Sequence, residues 1–581
     1  MKKFWNNKNY QKWIPYGIFV ILTILLCIPL FQSNMNMKWD DGIQHIARIM
    51  GTYQSLSEGQ KFPVIMSLFC NEFGYSWNLF YSPLTAYLPL LFSLVTTSFT
   101  VMLKLFLALA MLLSGIFMYH FVITITKNKK IGVLAAGLYM MAPYHLTDLY
   151  LRMAVAEFAS FVFIPMVFLG LYHIFHDTPK KGYWLCIGAV GLILTHTLST
   201  IIVAIFAVIY ILCHFFKWKD KRIWFSLFLN LFLVLAITSF FWLPLVQLKM
   251  DTSYEVFVPG RMERGEVLEQ NKLKFYDLFF TKEKTSLRVF ELGIVTIVAL
   301  ILTPLARKRI EPKNKITYYS FLGMGLMACL MTLTIFPFEK MPSFITKLQF
   351  PWRMIEFANF FFSVIAAINL GYVIKSFQYR DVIFLLILQL ALTAHVICPK
   401  IPTDENYQED DLWPAVAVTE KTGRVHAGMA SMEYLPSKAF QNRSYIEKRP
   451  DTVFVLQGQA TILQEQKENT NLEFTIQVES NQAKIELPFI YYLGYTVMIE
   501  KQGIAREKIQ YNETENGFIG ITLPQGEYVI QSSYTGTNSM KVSAVISLFS
   551  FLFAIGYYLK INPTKHCYFR QDSIKYNRKE N

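Results

Sequence analysis

The feature that most limits what this chain can become is a series of long apolar runs separated by short basic loops. The first, Trp13 to Phe31, carries no charged side chain. A stretch of about 20 apolar residues matches the hydrocarbon thickness of a bilayer. Similar runs recur to the end of the chain. Composition agrees: 53% of the 581 residues are hydrophobic, 17% are charged and the mean hydropathy is +0.33. A soluble domain of this size carries more charge. The net charge of +14 would suit a nucleic-acid binder, but no basic helix or zinc-finger spacing accompanies it. The Lys and Arg residues fall in inter-helix loops, where they fix topology.

Topology follows from those loops. Lys2, Lys3, Lys8 and Lys12 place the N-terminus in the cytoplasm, so the first helix exits and Asp40 and Asp41 fall outside. No small-residue cleavage site follows Phe31, so this helix is read as uncleaved. Residues 42–58 have an amphipathic pattern and read as a helix lying on the membrane surface. The apolar stretch 84–97 is short for a span. Taken as re-entrant or interfacial, it lets every later basic loop fall inside. Further spans are expected near 101–125, 131–147, 158–176, 223–247, 290–306, 317–336, 354–374 and 381–397, with 183–216 forming a hairpin that turns at Thr195-His196-Thr197. Composition then shifts. Residues 399–540 are polar, with period-two segments at 452–457, 472–478, 483–487, 495–499 and 517–523, and read as an external β-sandwich. A helix at 541–559 returns to a basic cytoplasmic tail, 560–581.

The expected fold class is therefore a polytopic α-helical membrane protein of about 11–13 transmembrane helices with an external C-terminal β-sandwich-like domain. Residues 1–398 form the helical part, including an external acidic loop, 32–83. The seven cysteines show no CxxC spacing and read as small apolar residues.

Ionisable residues beside the helices cluster on the expected outer face: Asp40, Asp41, His45, Arg48, Asp148, Arg152, Glu157, His196, Arg353 and Glu356. Such groups are expensive at membrane depth and mark function more often than on a soluble surface. Asp40 and Asp41 can supply a general base or bind a divalent cation, Mg or Mn. Arg152 and Arg353 can hold phosphate oxygens bidentately. Arg353 and Glu356, three apart, have good spacing for a helix pair; Arg152 and Glu157, five apart, do not. No Walker loop, GxGxxG or HExxH motif is present.

Several segments together resemble a known family. They are Trp39-Asp40-Asp41-Gly42-Ile43-Gln44-His45-Ile46-Ala47-Arg48-Ile49, Phe80-Tyr81-Ser82-Pro83-Leu84, Tyr150-Leu151-Arg152-Met153-Ala154-Val155-Ala156-Glu157, Thr195-His196, Leu348-Gln349-Phe350-Pro351-Trp352-Arg353, Glu433-Tyr434-Leu435-Pro436 and Tyr491-Tyr492-Leu493-Gly494-Tyr495. The chain resembles the bacterial "6-pyruvoyl-tetrahydropterin synthase-related" membrane proteins and is similar to the YfhO-like proteins. Nothing in it matches the three-histidine zinc site of the soluble pterin synthases. The architecture looks like the GT-C class of membrane glycosyltransferases. The resemblance implies transfer of a sugar from a polyprenyl-phosphate donor to a cell-envelope glycopolymer on the outer face. It implies Asp41 as first choice for the base and Asp40 as second, with His45, Arg48, Arg152, Glu157, His196 and Arg353 binding substrate. The bilayer, donor and acceptor are the expected partners, and no nucleic acid. The alternatives are a lipid-linked sugar transporter and a non-catalytic envelope assembly protein.

Overall fold

The computed structural model describes residues 12–37, 39–176, 179–258, 265–281, 288–341, 349–405, 432–501 and 505–561. Lys2, Lys3, Lys8, Leu348, Cys567 and nearly all of the basic tail lie outside the described residues.

The apolar runs are helices. In order they are α1 Ile14–Cys27, α2 Gly42–Ser57, α3 Leu84–Leu90, α4 Phe99–Thr126, α5 Lys129–Met140, α6 Val155–His176, α7 Tyr183–Thr195, α8 Thr197–Cys213, α9 Lys221–Ile237, α10 Ser239–Asp251, α11 Ile294–Ile301, α12 Lys315–Thr332, α13 Met354–Val373, α14 Tyr379–Ile397 and α15 Asn538–Ile561. A helix satisfies its own backbone, which lipid cannot do for it. Polar caps complete several starts: Asn128 accepts from Lys130 N and Ile131 N at 3.0 and 3.4 Å, and Asp220 accepts from Arg222 N at 2.9 Å. Among the described residues, five helices are long and apolar enough to cross a bilayer: α4, α6, α13 with its preceding turn, α14 with its following turn, and α15. The pair α9 and α10, bent by 67°, would make a sixth. Four more apolar helices have 10–17 residues. The runs expected at 131–147 and 290–306 break at Met141–Ala142 and near Leu302, so length alone assigns them no span. Large side chains such as Phe228, Phe232, Phe384, Ile387 and Phe549 stand exposed on the outside of the bundle. This is a membrane protein, with lipid solvating those side chains.

α3 and its following turn, Leu91–Leu94, end before Ser98 caps α4. At 1.5 Å rise per residue, α3 is too short to cross about 30 Å of hydrocarbon. The 183–216 run is a hairpin. Gly170, Gly188 and Gly191 bring α7 against α6 antiparallel, at Leu185, Val167 and Phe163. α8 then runs back alongside α6, with Tyr210 against Phe168 and His214 against Phe175.

The helices connect two chemically different ends. At one, basic loops interlock: Lys130 Nζ donates to Phe377 O at 2.7 Å and Lys217 Nζ to Phe175 O at 2.5 Å. Asn314 joins α4 and α6 there through Ile125 O and Tyr172 Oη. The other end carries the Asp40–Asp41 loop, Arg152, Glu157, His196, Arg353 and the C-terminal sheet.

That sheet is a correction to the expected sandwich. Among the described residues seven strands, β1 Phe454–Gln457, β2 Ala460–Glu468, β3 Asn471–Ile490, β4 Tyr495–Lys501, β5 Glu507–Ile509, β6 Asn512–Glu513 and β7 Phe518–Tyr534, form a single antiparallel sheet. β3 and β7 pair along most of their length, with register shifts between Val478 and Gln482 and between Glu486 and Ile490. The expected segments 472–478 and 483–487 are two halves of β3, which continues through the irregularity. The missing second layer is supplied by other elements. Short helices Ser437–Gln441 and Arg443–Lys448 and the loop after α2 cover one face, where Phe73 meets Phe518 at 5.1 Å.

The loop after α2 is tied firmly to the sheet. Asn71 Nδ2 donates to Arg449 O at 3.2 Å, Lys467 Nζ to Glu72 O at 2.8 Å and Ile490 N to Phe73 O at 3.1 Å. Cys70, Asn71 and Glu72 all have positive φ, 59°, 57° and 63°. Non-glycine residues avoid that region unless tertiary contacts hold them there.

Candidate active site

Gly42 sets the position of the two aspartates. A Cβ at residue 42 would lie 2.1 Å from Met37 O and 2.8 Å from Met153 Cγ. Only glycine lets the chain fold this tightly against the 152–154 turn. The turn is closed by Asp41 N donating to Arg152 O at 3.1 Å and Trp39 Nε1 to Leu151 O at 3.2 Å. Three non-glycine residues around it are left-handed: Asp40 (φ 46°), Met153 (φ 48°) and Gln349 (φ 64°). They come from three separate segments. Such strain concentrates where function holds the backbone.

Asp41 sits at the N-terminus of α2 but makes no side-chain cap. Among the described residues its carboxylate has no hydrogen bond or ion pair. It is half-buried and faces Arg152 and Arg353. Burial raises its pKa above the ordinary aspartate value, and the two guanidinium groups pull against that rise. Asp40 turns the other way. It is exposed and pairs with Arg288 at 3.1 Å.

Behind Asp41 lies a buried charge cluster. Arg152 Nη1 reaches Asp148 Oδ1 at 2.5 Å and Glu157 Oε2 at 2.9 Å. Tyr144 Oη donates to Glu157 Oε1 at 2.6 Å. The Arg152 guanidinium lies 4.6 Å from the Trp352 ring, a cation–π distance. Arg353 donates to Gln349 Oε1 at 2.7 Å, and its Nε lies 3.3 Å from Glu157 Oε2, a charge contact without hydrogen-bond alignment. Glu356 accepts from Ser160 Oγ and, at 2.8 Å, from Ser199 Oγ. His196 Nδ1 lies 2.8 Å from Ser199 Oγ.

The pairing expected from spacing is reversed. Arg353 contacts Glu157, not Glu356. Arg152 reaches Glu157 because it precedes α6 and left-handed Met153 turns the chain back, so helix spacing does not apply to it. Spacing also left Tyr144 and Trp352 unmarked. Ser160 and Ser199 had a signal: each follows a candidate, Glu157 or His196, by three residues and so shares its helix face.

Asp41, Arg152, Glu157, His196 and Arg353 therefore come together at one end of the bundle. His45 borders them. It is buried, its ring is 6.1 Å from that of Tyr81, and burial with nearby Arg48 lowers its pKa to about 3, so it is neutral at ordinary pH. Arg48 is not brought in. It is 2% exposed, and its guanidinium donates to Asn78 Oδ1 (2.9 Å), Thr85 Oγ1 (3.3 Å), Tyr81 O (3.1 Å) and Ser82 O (2.7 Å). It pins α2 to the 78–85 segment. Arg48→Ala leaves those buried acceptors unsatisfied and is expected to destabilise the protein by about 3 kcal/mol, read as an earlier thermal unfolding transition in detergent.

Asp40 is engaged by Arg288, and Asp41 feels the Arg152 and Arg353 guanidinium groups as well as the Asp40 and Glu157 carboxylates. Among the described residues no three His, Cys, Asp or Glu side chains gather as metal ligands. Among the described residues no cysteine forms a disulfide.

No family model matches the sequence. A protein of Lactococcus lactis subsp. cremoris (strain MG1363), named only as uncharacterized, is 23% identical over 594 residues, spanning 92% of this chain and 93% of its own. Among solved structures the chain is similar to the mycobacterial arabinofuranosyltransferase AftD, at 15% identity and a TM-score of 0.43, over 67% of this chain and 27% of AftD. The R1389S mutant of AftD gives 13% identity and a TM-score of 0.42. The chain spans roughly a quarter of AftD's length.

Proposed function

We propose that this protein is a membrane glycosyltransferase of the GT-C type that works on the outer face. In this reading it moves a sugar from a polyprenyl-phosphate donor to a cell-envelope glycopolymer. One observation carries it: Asp41, an unpaired and half-buried carboxylate, faces two arginines at the end of the bundle opposite the basic loops. Basic loops belong in the cytoplasm; in this reading Asp41 and the sheet lie outside and the N-terminus and C-terminal tail inside.

The roles follow from the geometry. Asp41 takes the proton of the acceptor hydroxyl, and that oxygen forms the new bond to the anomeric carbon as the bond to the donor phosphate breaks. Arg353 retains 12% exposure and stabilises the leaving phosphate. Arg152 is 3% exposed and saturated by carboxylates. It holds Glu157 and the Asp41 turn in place. Neutral His45 and His196 line the inner wall.

The test is sugar transfer from a synthetic polyprenyl-phosphate sugar to envelope polymer by the full chain in proteoliposomes. Transfer above protein-free vesicles supports the reading, and its absence with every donor overturns it. Because Asp41 must be ionised and its pKa is raised, the acid limb of the rate profile is expected above the ordinary aspartate value of about 3.9, with the rate falling as pH drops through it. In this reading Arg353 meets the leaving phosphate, so EDTA is expected to leave the rate unchanged.

A lipid-linked sugar transporter is the second reading. It draws on the burial of Asp148, Glu157 and Glu356 beside Arg152 and Arg353, since charges inside a bundle also mark transport paths. Translocation of the lipid-linked sugar without transfer would favour it.

A further inference from the structure

A cleft of about 620 Å³ opens beside the cluster, walled by Trp39, Asp40, Gln270, Asn271, Arg288 and Trp352. Its size falls within the range of small-molecule sites. Asp41 does not line it. The adjacent aspartates thus serve two compartments, Asp41 facing the arginine cluster and Asp40 the cleft. Left-handed Asp40 (φ 46°) is what sends the neighbouring side chains apart.

The lining chemistry selects among ligands. Asp40 and Arg288, 3.1 Å apart and each about one-third exposed, present acceptors and donors side by side. Gln270 and Asn271 add amide donors and acceptors. Lys272, at the same wall, is held by Glu269 at 2.5 Å. The Asp40, Arg288 and Lys272 charges are each met by an opposite charge, so the wall selects strongly for neither anions nor cations. Trp39 and Phe290, both partly exposed, supply apolar surface; Trp352 is buried behind them, and the Arg288 guanidinium lies 5.2 Å from its ring, which stiffens that wall. A neutral polyhydroxylated ligand fits this mixture: vicinal hydroxyls can donate to the carboxylate and accept from the guanidinium while a ring face lies on the aromatic surface.

We infer that this cleft is a saccharide subsite, holding the hydroxyl-rich acceptor next to Asp41, and that Asp40 positions the acceptor rather than acting as the base. The inference rests on the glycosyltransferase reading for the word acceptor, but saccharide binding is measurable without transfer. The experiment is tryptophan-fluorescence titration of the full chain in nanodiscs with maltotriose, mannotriose and galactotriose, and with inorganic phosphate as the charged probe. At least one trisaccharide is expected to bind saturably. Asp40→Ala and Arg288→Ala are expected to weaken it about tenfold or more, with Glu500→Gln, on the sheet and away from the cleft, within about twofold of wild type. Asp40→Asn and Gln270→Ala, which disturb the backbone less, are expected to follow the same direction. Binding by none of the three sugars, binding indifferent to Asp40 and Arg288, or binding of phosphate alone overturns the proposal. If trisaccharide binds and no donor supports transfer, the subsite stands and the glycosyltransferase reading falls.

Discussion

Asp41→Asn is expected to lower sugar transfer by about 10³-fold while the protein inserts, folds and melts as wild type does. Both halves come from the same observation. The Asp41 carboxylate makes no cap, hydrogen bond or ion pair among the described residues, so an amide of the same shape breaks nothing structural. It does remove the proton acceptor. It also removes the negative charge facing Arg152 and Arg353, which leaves Arg353 at least as free to meet the donor phosphate. The loss should therefore appear in the turnover number rather than in donor affinity. Transfer assays and donor titration in proteoliposomes check the two separately. Wild-type turnover in this variant would sink the assignment of Asp41 as base.

Arg449→Ala is expected to be among the most destabilising substitutions at the sheet end of the molecule. Arg449 and Glu486 are fully buried, 3.1 Å apart. The Glu486 carboxylate also accepts from Tyr445 (2.7 Å), Thr514 (2.7 Å) and Asn516 (3.2 Å). The guanidinium sits among Phe73, Phe454 and Phe518, at 5.1, 4.9 and 4.8 Å. Removing it strands a buried carboxylate and opens a void, at a cost of about 3–5 kcal/mol. Phe73 belongs to the loop after α2, so the damage reaches that loop. Hydrogen exchange should rise in both the sheet and residues 65–75. Replacing both partners, Arg449→Met with Glu486→Leu, should recover much of the loss, because no unpaired charge remains. Equal destabilisation by the single and double changes would refute this account.

The sequence made the helices legible because lipid removes most alternatives. The helix expected at 354–374 is Met354–Val373, and that at 381–397 is Tyr379–Ile397. The hairpin turn at His196 was also readable, since the run was too long for one span. Partner choice was not. Glu157 lies between Arg152 and Arg353, and nothing in local spacing shows that α13 and the 152–154 turn meet there. The sheet was half legible. Alternation marked β1, both halves of β3, β4 and the first part of β7. β2, with Gln464, Gln466 and Lys467 amid little apolar contrast, carried too weak a period to register. The single-layer outcome depended on Phe73 and the 437–448 helices covering the face, a long-range event with no local signature. Of the candidate site, the residue types were visible and their division of labour was not. Asp40 and Asp41 are indistinguishable as letters, and one left-handed residue sends them to different places.

The tie between Asn71 and Arg449 spans 378 positions of sequence. During synthesis the loop after α2 emerges long before the sheet that holds it. At ordinary elongation rates the wait is roughly 20–75 s. For that interval the positive-φ turn at Cys70–Glu72 lacks its bonds to the sheet and keeps local ones such as Phe73 N to Cys70 O and Gly74 N to Phe69 O, each 3.1 Å, and Phe73 has no Phe518 to rest on. The loop after α2 is therefore finished last although it is made early. A nascent or C-terminally shortened chain would hold every residue of the charge cluster, and the Asp41 turn could already close on Arg152 O and Leu151 O, yet the loop leading from α2 would lack the sheet that steadies it.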